Sequence, residues 1–228
     1  MTLWEIDIHP ADGQPDLIGT GLTAEVHELG LPQSIRIVAA HAYLIQGALD
    51  RTDLDKVAKG LLSDSITERA VVAAVPSEIL IQPPKRGGVS DANATLIQVL
   101  RKPGVMDPTA LSTQKALHDL QVPAEAVRTL RKYWISNASS SDIDRLRQRL
   151  LANESIEQAY VGALPFSAIQ IGSEYHFQPI TVPIRNLNEA SLEVLSRSGQ
   201  LYMTTPEMLT VQKHFQELGR EPTDIELE

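Results

Sequence analysis

The chain has 228 residues, 20 basic against 29 acidic, a formal charge of −9 and no cysteine. Without cysteine there is no disulfide framework, thiolate metal site or cysteine nucleophile, and an acidic chain with no basic block argues against nucleic acid or an anionic membrane as main partner. No apolar run reaches the ~18–20 residues of a membrane span, and the opening MTLWEIDIHP lacks a signal-peptide pattern, so a soluble, cytoplasmic protein of one or two domains is expected.

The first predicted element is a strand over 3–9, where LWEIDIH alternates as a half-buried strand should. A turn rich in Pro, Gly and Asp follows (PADGQPD), then a helix carrying Leu22, Val26 and Leu29 on one face and stopped by Gly30 and Pro32. Two short apolar runs, IRIV (35–38) and AYLIQ (42–46), suggest a tight hairpin. A second helix is marked by Leu54, Val57, Ala58, Leu61 and Leu62, spaced as one apolar stripe. Thr52 is its expected cap, with Asp55 three residues on. A last strand is expected over 68–75.

The pattern then recurs. VHELGLP (26–32) returns as LHDLQVP (117–123), Gly13 and Asp16 as Gly104 and Asp107, and GLLSDSITERAVVAAVP (60–76) as RLLANESIEQAYVGALP (149–165). The offsets drift from 91 to 89, as short loop indels produce; similar punctuation in unrelated segments is the weaker explanation. The second copy predicts a strand over 95–100, a helix with Leu117 and Leu120, and a hairpin from VRTL (127–130) and KYWIS (132–136). Next come a helix with Ile143, Leu146, Leu150 and Leu151 capped by Ser141, and a strand over 157–163. Each copy therefore reads as βαββαβ. The fold class expected is α+β: two ferredoxin-like repeats whose sheets join as a pseudo-dimer, because a lone copy leaves edges and a sheet face uncovered.

The domain bounds expected are 1–76 and 94–165 for the repeats, 77–93 for an exposed linker (IQPPKRGGVSDAN), 166–203 for a connector and 204–228 for a linker helix and helix start. Asn188 is placed to cap a helix through Arg197, stopped by Gly199. Thr205-Pro206 opens another helix, with Met208, Val211, Phe215 and Leu218 on one stripe and Gly219 at its end. TDIE (223–226) fits a capping box just before the chain stops, which suggests the front of something longer.

Chemistry is sparse. There is no phosphate loop, and LIGTGL (17–22) is too short a match to a dinucleotide fingerprint. Arg86–Gly88 reads as linker. His9, His27, His41 and His118 have no partner at metal-ligand spacing, and His27-Glu28 lacks a second His. Asp142 and Asp144 suit a helix first turn. Trp4 and Trp134 read as strand residues, and for Trp134 a core position is the stronger reading over an interface anchor. No catalytic, cofactor-binding or metal-binding residue is therefore assigned.

KPGVMDPTALSTQKALHDLQV (102–122), KYWIS and RLLANESIEQAYV (149–161) resemble the PurS subunit of phosphoribosylformylglycinamidine synthase. The first copy is a weaker match, with Pro15-Asp16 where the second has Asp107-Pro108. LTVQKHFQELGREPTDIELE (209–228) resembles the helix and helix start that lead into the synthase domain of the large, fused enzyme. The resemblance implies a non-catalytic PurS-like scaffold that bridges a glutaminase and an ATP-dependent synthase, as domains or subunits, in purine biosynthesis. It implies that ATP and Mg belong to the complete enzyme and not to this chain, which alone is expected to be inactive. The alternative is a tandem ACT-like module that binds a small regulatory molecule between paired units.

Overall fold

A computed structural model describes residues 1–84, 94–169 and 179–228. The chain divides into Met1–Ser173 and Glu174–Glu228. Among the described residues the first part holds one six-stranded sheet, ordered β3-β1-β2-β5-β4-β6, with every neighbouring pair antiparallel. The strands are β1 (Thr2–Pro10), β2 (Arg36–Gly47), β3 (Glu68–Ala74), β4 (Thr95–Arg101), β5 (Ala124–Ser136) and β6 (Glu157–Val161). Between them run α1 (Leu17–Glu28), α2 (Arg51–Val57), α3 (Glu78–Ile81), α4 (Pro108–Asp119) and α5 (Ser140–Leu146).

The hairpins expected within 35–46 and 127–136 are not there. Each stretch is a single long strand, β2 or β5, so each segment is βαβαβ and not βαββαβ. The physical reason is visible in the residues. A two-residue hairpin turn needs positive φ and hence Gly, Asn or Asp. Ala39, Ala40 and His41 in one strand, and Arg131 in the other, offer none of these.

Alternation then sorts the side chains. Ile6 and Ile8 of β1, Ile37 and Ile45 of β2, Ile97 and Val99 of β4, and Tyr133 and Ile135 of β5 face the helices and are buried. The cores are shared between the segments. One joins Ile6, Ile8 and α2 (Leu54, Val57) to Ala110 and Leu117 of α4. The other joins Val26 of α1 to Ile97, Val99 and α5 (Ile143, Leu146). The seam between β2 and β5 explains this, since it sets each segment's helices beside the other's. At the seam's end, a Cβ on Gly47 would press on the Pro123 carbonyl oxygen and stand 3.2 Å from Ala124 Cα. A bulge falls there, between Gln46 and Gly47.

The second-helix stripe holds in four of its five positions. Leu54, Val57, Ala58 and Leu62 are buried, but Leu61 is 38% exposed. After Val57 the helix widens into a π-turn over Ala58–Leu62, and the same happens over Arg147–Leu151 after α5. An i→i+5 turn rotates each later side chain backwards, so Leu61 leaves the face that 3.6-residue periodicity assigns to it. The caps also move. Asp50 and Ser139, two residues before Thr52 and Ser141, receive the Asp53 and Asp142 amides at 2.8 and 3.2 Å. Leu29 and Leu120, expected on buried helix faces, are 39% and 59% exposed because each follows the end of its helix.

Before β3 and β6 the chain makes the same turn twice. Asp64 Oδ1 accepts the Ile66 and Thr67 amides while Glu68 takes the Asp64 amide at 2.9 Å. Asn153 Oδ1 accepts from Ser155 N, and Glu157 takes the Asn153 amide at 2.9 Å. The matching runs SDSITE and ANESIE are one hydrogen-bonded device. Residues 77–84 correct the exposed-linker expectation: α3 begins at Glu78, and Leu80 is 4% exposed. The rest of that run, with Arg86–Gly88, lies outside the described residues.

In the second part, α6 (Glu189–Ser198) is capped by Asn188 and ends at Gly199, as expected. α7 (Thr205–Leu218) is capped by Thr204, one residue before the expected Thr205. The Thr204 amide and hydroxyl both donate to Glu207 at 2.7 Å, which fixes the earlier start. Met208 and Phe215 pack on Ile184 and Leu192, whereas Leu218, expected on their stripe, is half exposed. α8 (Asp224–Leu227) starts with the expected Thr223–Glu226 box. Arg220 forks onto both Glu226 oxygens at 2.7 and 2.5 Å, and Glu221 accepts the Ile184 and Arg185 amides at 2.8 and 3.2 Å. Thr181 and Thr223 form a bridge. The GREPTDIE run thus stitches the chain end to residues 180–185.

Candidate functional site

The sheet face opposite α1, α2, α4 and α5 carries a dry charged cluster. Alternation sends Leu3, Glu5, Asp7 and His9 of β1 to this face, with Ala40, Ala42 and Leu44 of β2 and Lys132 and Trp134 of β5. Two strand spacings, roughly 10 Å, separate β1 from β5. The intervening Ala40 and Ala42 leave room for the Lys132 stem to cross. Its Nζ donates to Glu5 Oε1 at 2.6 Å, Asp7 Oδ2 at 2.7 Å and the Leu80 carbonyl at 2.6 Å. All three ammonium donors are used.

Lys132, Glu5 and Asp7 side chains are 0%, 2% and 1% exposed. Around them, the Trp134 indole N–H donates to the Ile81 carbonyl at 2.8 Å, and the ammonium lies 5.3 Å from the indole ring. The His9 ring stacks 5.6 Å from Trp134, with Nε2 3.9 Å from Asp7 Oδ2. Burial pushes the Asp7 carboxyl well above the usual aspartate range; Lys132 opposes the rise and neighbouring Glu5 adds to it. Two carboxyls meet one lysine in a sealed site, so the fully ionised cluster would carry one uncompensated negative charge there. The three lysine donors are spent within the chain, so the cluster ties β1, β5 and α3 together.

No residue of this cluster is assigned from the sequence. In LWEIDIH, Glu5, Asp7 and His9 read as the solvated half of an alternating strand, and Lys132 lies more than a hundred residues away. The one usable signal was two acids on the same strand face, which is the wrong composition for a face that turns out to be covered.

Two aspartates clasp helix to sheet. Asp16 caps α1 by accepting Gly19 N at 2.8 Å, and its other oxygen accepts Ala39 N of β2 at 2.7 Å. Asp107 caps α4 through Ala110 N at 3.1 Å and takes the amide and hydroxyl of Thr129 on β5 at 2.9 and 2.8 Å. Gly13 and Gly104, three residues before each, share φ +84°, which a side chain resists. These pairs are the Gly and Asp matches noted in the sequence.

Of the other residues singled out, His41 sits in the middle of the seam opposite Arg131, and burial holds its imidazole below the usual range. His27 is half-buried on α1, and His118 is 90% exposed. Trp4 packs partly buried on the helix-side core, and Trp134 is a core residue with a satisfied indole. Asp142 belongs to the Ser139 capping box, whose hydrogen bonds hold its carboxyl low. Asp144 pairs with Arg147 at 3.5 Å on the surface. LIGTGL forms the first turns of α1. A cleft of about 320 Å³ beside β4 and β6 is lined by Arg101, Arg128, Tyr160 and Phe166 among others. Among the described residues no three His, Asp or Glu side chains group to hold a metal ion, and no helix is long and apolar enough to cross a membrane.

Fold and cluster together define a class: an α+β protein built on one antiparallel sheet, helices on one face, its polar centre spent on internal contacts. Comparison with family models narrows this. Residues 94–163 match the PurS family, phosphoribosylformylglycinamidine (FGAM) synthase, so β4 through β6 form a PurS-like domain. No curated protein matches the chain.

Proposed function

We propose that residues 1–165 are two PurS-like units fused in tandem, forming a pseudo-dimer. The chain then serves phosphoribosylformylglycinamidine synthase in purine biosynthesis as a non-catalytic bridge between its glutaminase and ATP-dependent synthase parts. The family match over 94–163 carries this reading, because residues 2–74 repeat its elements, its aspartate clasp and its pre-strand turn. The seam supports the fusion. Ala42 faces Leu130 and Ala40 faces Lys132, so a local two-fold axis passes through the His41–Arg131 pair once β5 is matched to β2 by the clasped amides of Ala39 and Thr129.

The same matching sets Glu5 against Leu96, Asp7 against Gln98 and Ala42 against Lys132. ATP and Mg are then bound by the synthase part, and the site of action is the cytoplasm. The test is reconstitution. Adding the chain to matched synthase and glutaminase should raise glutamine-dependent turnover strongly and ammonia-dependent turnover little, since free ammonia needs no delivery between parts. Equal glutamine-dependent rates with and without the chain remove the bridging role. Calorimetric binding of a free amino acid would favour the ACT-like regulatory module instead.

A further inference from the structure

The Lys132 cluster closes over residues that a four-residue helix brings to it. α3 is too short to be stable alone, and its last carbonyls lack helical partners. Two are satisfied from the sheet: Leu80 O by the Lys132 ammonium and Ile81 O by the Trp134 indole. The Leu80 side chain is buried beneath the same turn, while neighbouring Ile79 is 56% exposed. The order of α3 therefore rests on these contacts.

Their donor is bound in turn by charge balance. Lys132 meets two carboxyls, and Asp7 Oδ1 is buried with no donor among the described residues. With one proton on the pair, the site is neutral. Without it, a net negative charge sits on buried side chains, which is costly until water reaches them. Of the groups on the ammonium, the Leu80 carbonyl of α3 is the one outside the sheet, so α3 is the element whose movement would admit water.

We propose that α3 is a proton-dependent latch on the sheet: it stays seated while Glu5 and Asp7 hold one proton between them and lifts when that proton is lost. Among the described residues, the titratable and charged groups near Asp7 act in both senses, Glu5 raising its proton affinity and Lys132 lowering it, with burial the largest influence. On β1 they are Glu5 and His9, and on β5 Lys132. β2 contributes only Ala40, Ala42 and Leu44, and β4 the neutral Gln98. On β3, Arg69 pairs in register with His9 and lies 3.8 Å from Asp12, and Glu78 of α3 points to solvent. His9 Nε2 lies 3.9 Å from Asp7 Oδ2. Burial raises the Asp7 proton affinity, so the transition lies above the ordinary aspartate range.

The test follows amide-exchange protection factors, which remove the intrinsic pH dependence of exchange, in the full chain from about pH 5 to about pH 9. Protection of the Leu80 and Gln82 amides, bonded to Ser77 O and Glu78 O, should fall by about tenfold per pH unit above the transition. Amides of β2 and β5 should hold. In a Trp4→Phe background, Trp134 emission should shift to the red over the same range. Asp7→Asn should keep α3 protected throughout, and Lys132→Met should leave it unprotected throughout. Flat α3 protection in the unmodified chain overturns the latch, and needs no variant to fold. So does a pH response that survives Asp7→Asn and disappears in His9→Gln, because the switching proton is then on His9.

Discussion

The two halves of the sheet fold the chain that follows them back over the same face, and they hold it by different means. After β3, the returning chain is bonded by a buried ammonium and an indole, from Lys132 and Trp134 to Leu80 O and Ile81 O. After β6, it is bonded by neutral amides: Gln98 Nε2 donates to Gly162 O at 2.7 Å and Gln46 Oε1 accepts Ile169 N at 2.7 Å. Neutral bonds leave little charge behind when broken, while the ionic version is costly with any member missing. The scaffold is thus alike in both halves, but the buried ammonium with its two carboxyls lies in one of them. On the helix side the contrast reverses. Arg131 grips Glu157 at 2.7 Å, whereas the matched His41, depressed by burial, is opposed to Glu68 without a close ion pair.

The largest expected effect breaks the charged half. Lys132→Met strands Glu5 and Asp7 and should cost about 3–5 kcal/mol in denaturant unfolding. Gln98→Leu, in the neutral half, should cost about 1–3 kcal/mol by leaving the Gly162 carbonyl unpaired. Replacing all three charges with Met and Leu should recover most of the loss; a triple variant as weak as Lys132→Met alone would show that shape, not charge, is limiting.

The helix cores should behave alike. Leu54→Ala and Leu146→Ala, both fully buried, should each cost about 2–5 kcal/mol. Leu61→Ala, turned outward by the π-turn, should cost under about 1 kcal/mol. A large loss at Leu61 would mean that the π-turn is absent in solution.

Next comes pH. Asp7 binds its proton more tightly folded than unfolded. Its stabilising contribution is complete below the unfolded value near pH 4 and declines as pH rises through the folded value, by at most about 1.4 kcal/mol per unit. Asp7→Asn should flatten that decline in urea titrations at successive pH values. The smallest effects are at the caps. Asp50→Ala and Ser139→Ala should each cost about 1 kcal/mol, the latter more if the reciprocal Asp142 bond adds to it.

What the residues revealed in advance was what repeats locally. Helix faces, the Thr223–Glu226 box, Asn188 and the paired Gly and Asp of the turns are short-range signals, and each has a hydrogen bond or a φ angle behind it. The Leu61 error and the shifted caps came from imposing 3.6-residue periodicity on helices that start earlier and end in π-turns. The hairpin error came from weighing apolar runs above turn chemistry, although AAHA lacked a turn residue. The charged cluster was invisible for a deeper reason. Its members meet across an intervening strand and across most of the chain, and polar residues on alternate strand positions ordinarily mean water.

The β2–β5 seam has a consequence for how the protein is made. It joins Arg36 to Ser136 and Gly47 to Ala124, so its closure waits until the second half has left the ribosome. Until then β2 presents a long apolar edge with no partner of its own chain, the template on which two copies pair wrongly. During synthesis the nearest correct strand is always the one still to come, and the nearest wrong one is a neighbour's β2. Slowing elongation past β3 should therefore raise the yield of swapped dimers, while supplying the second half in trans should suppress them.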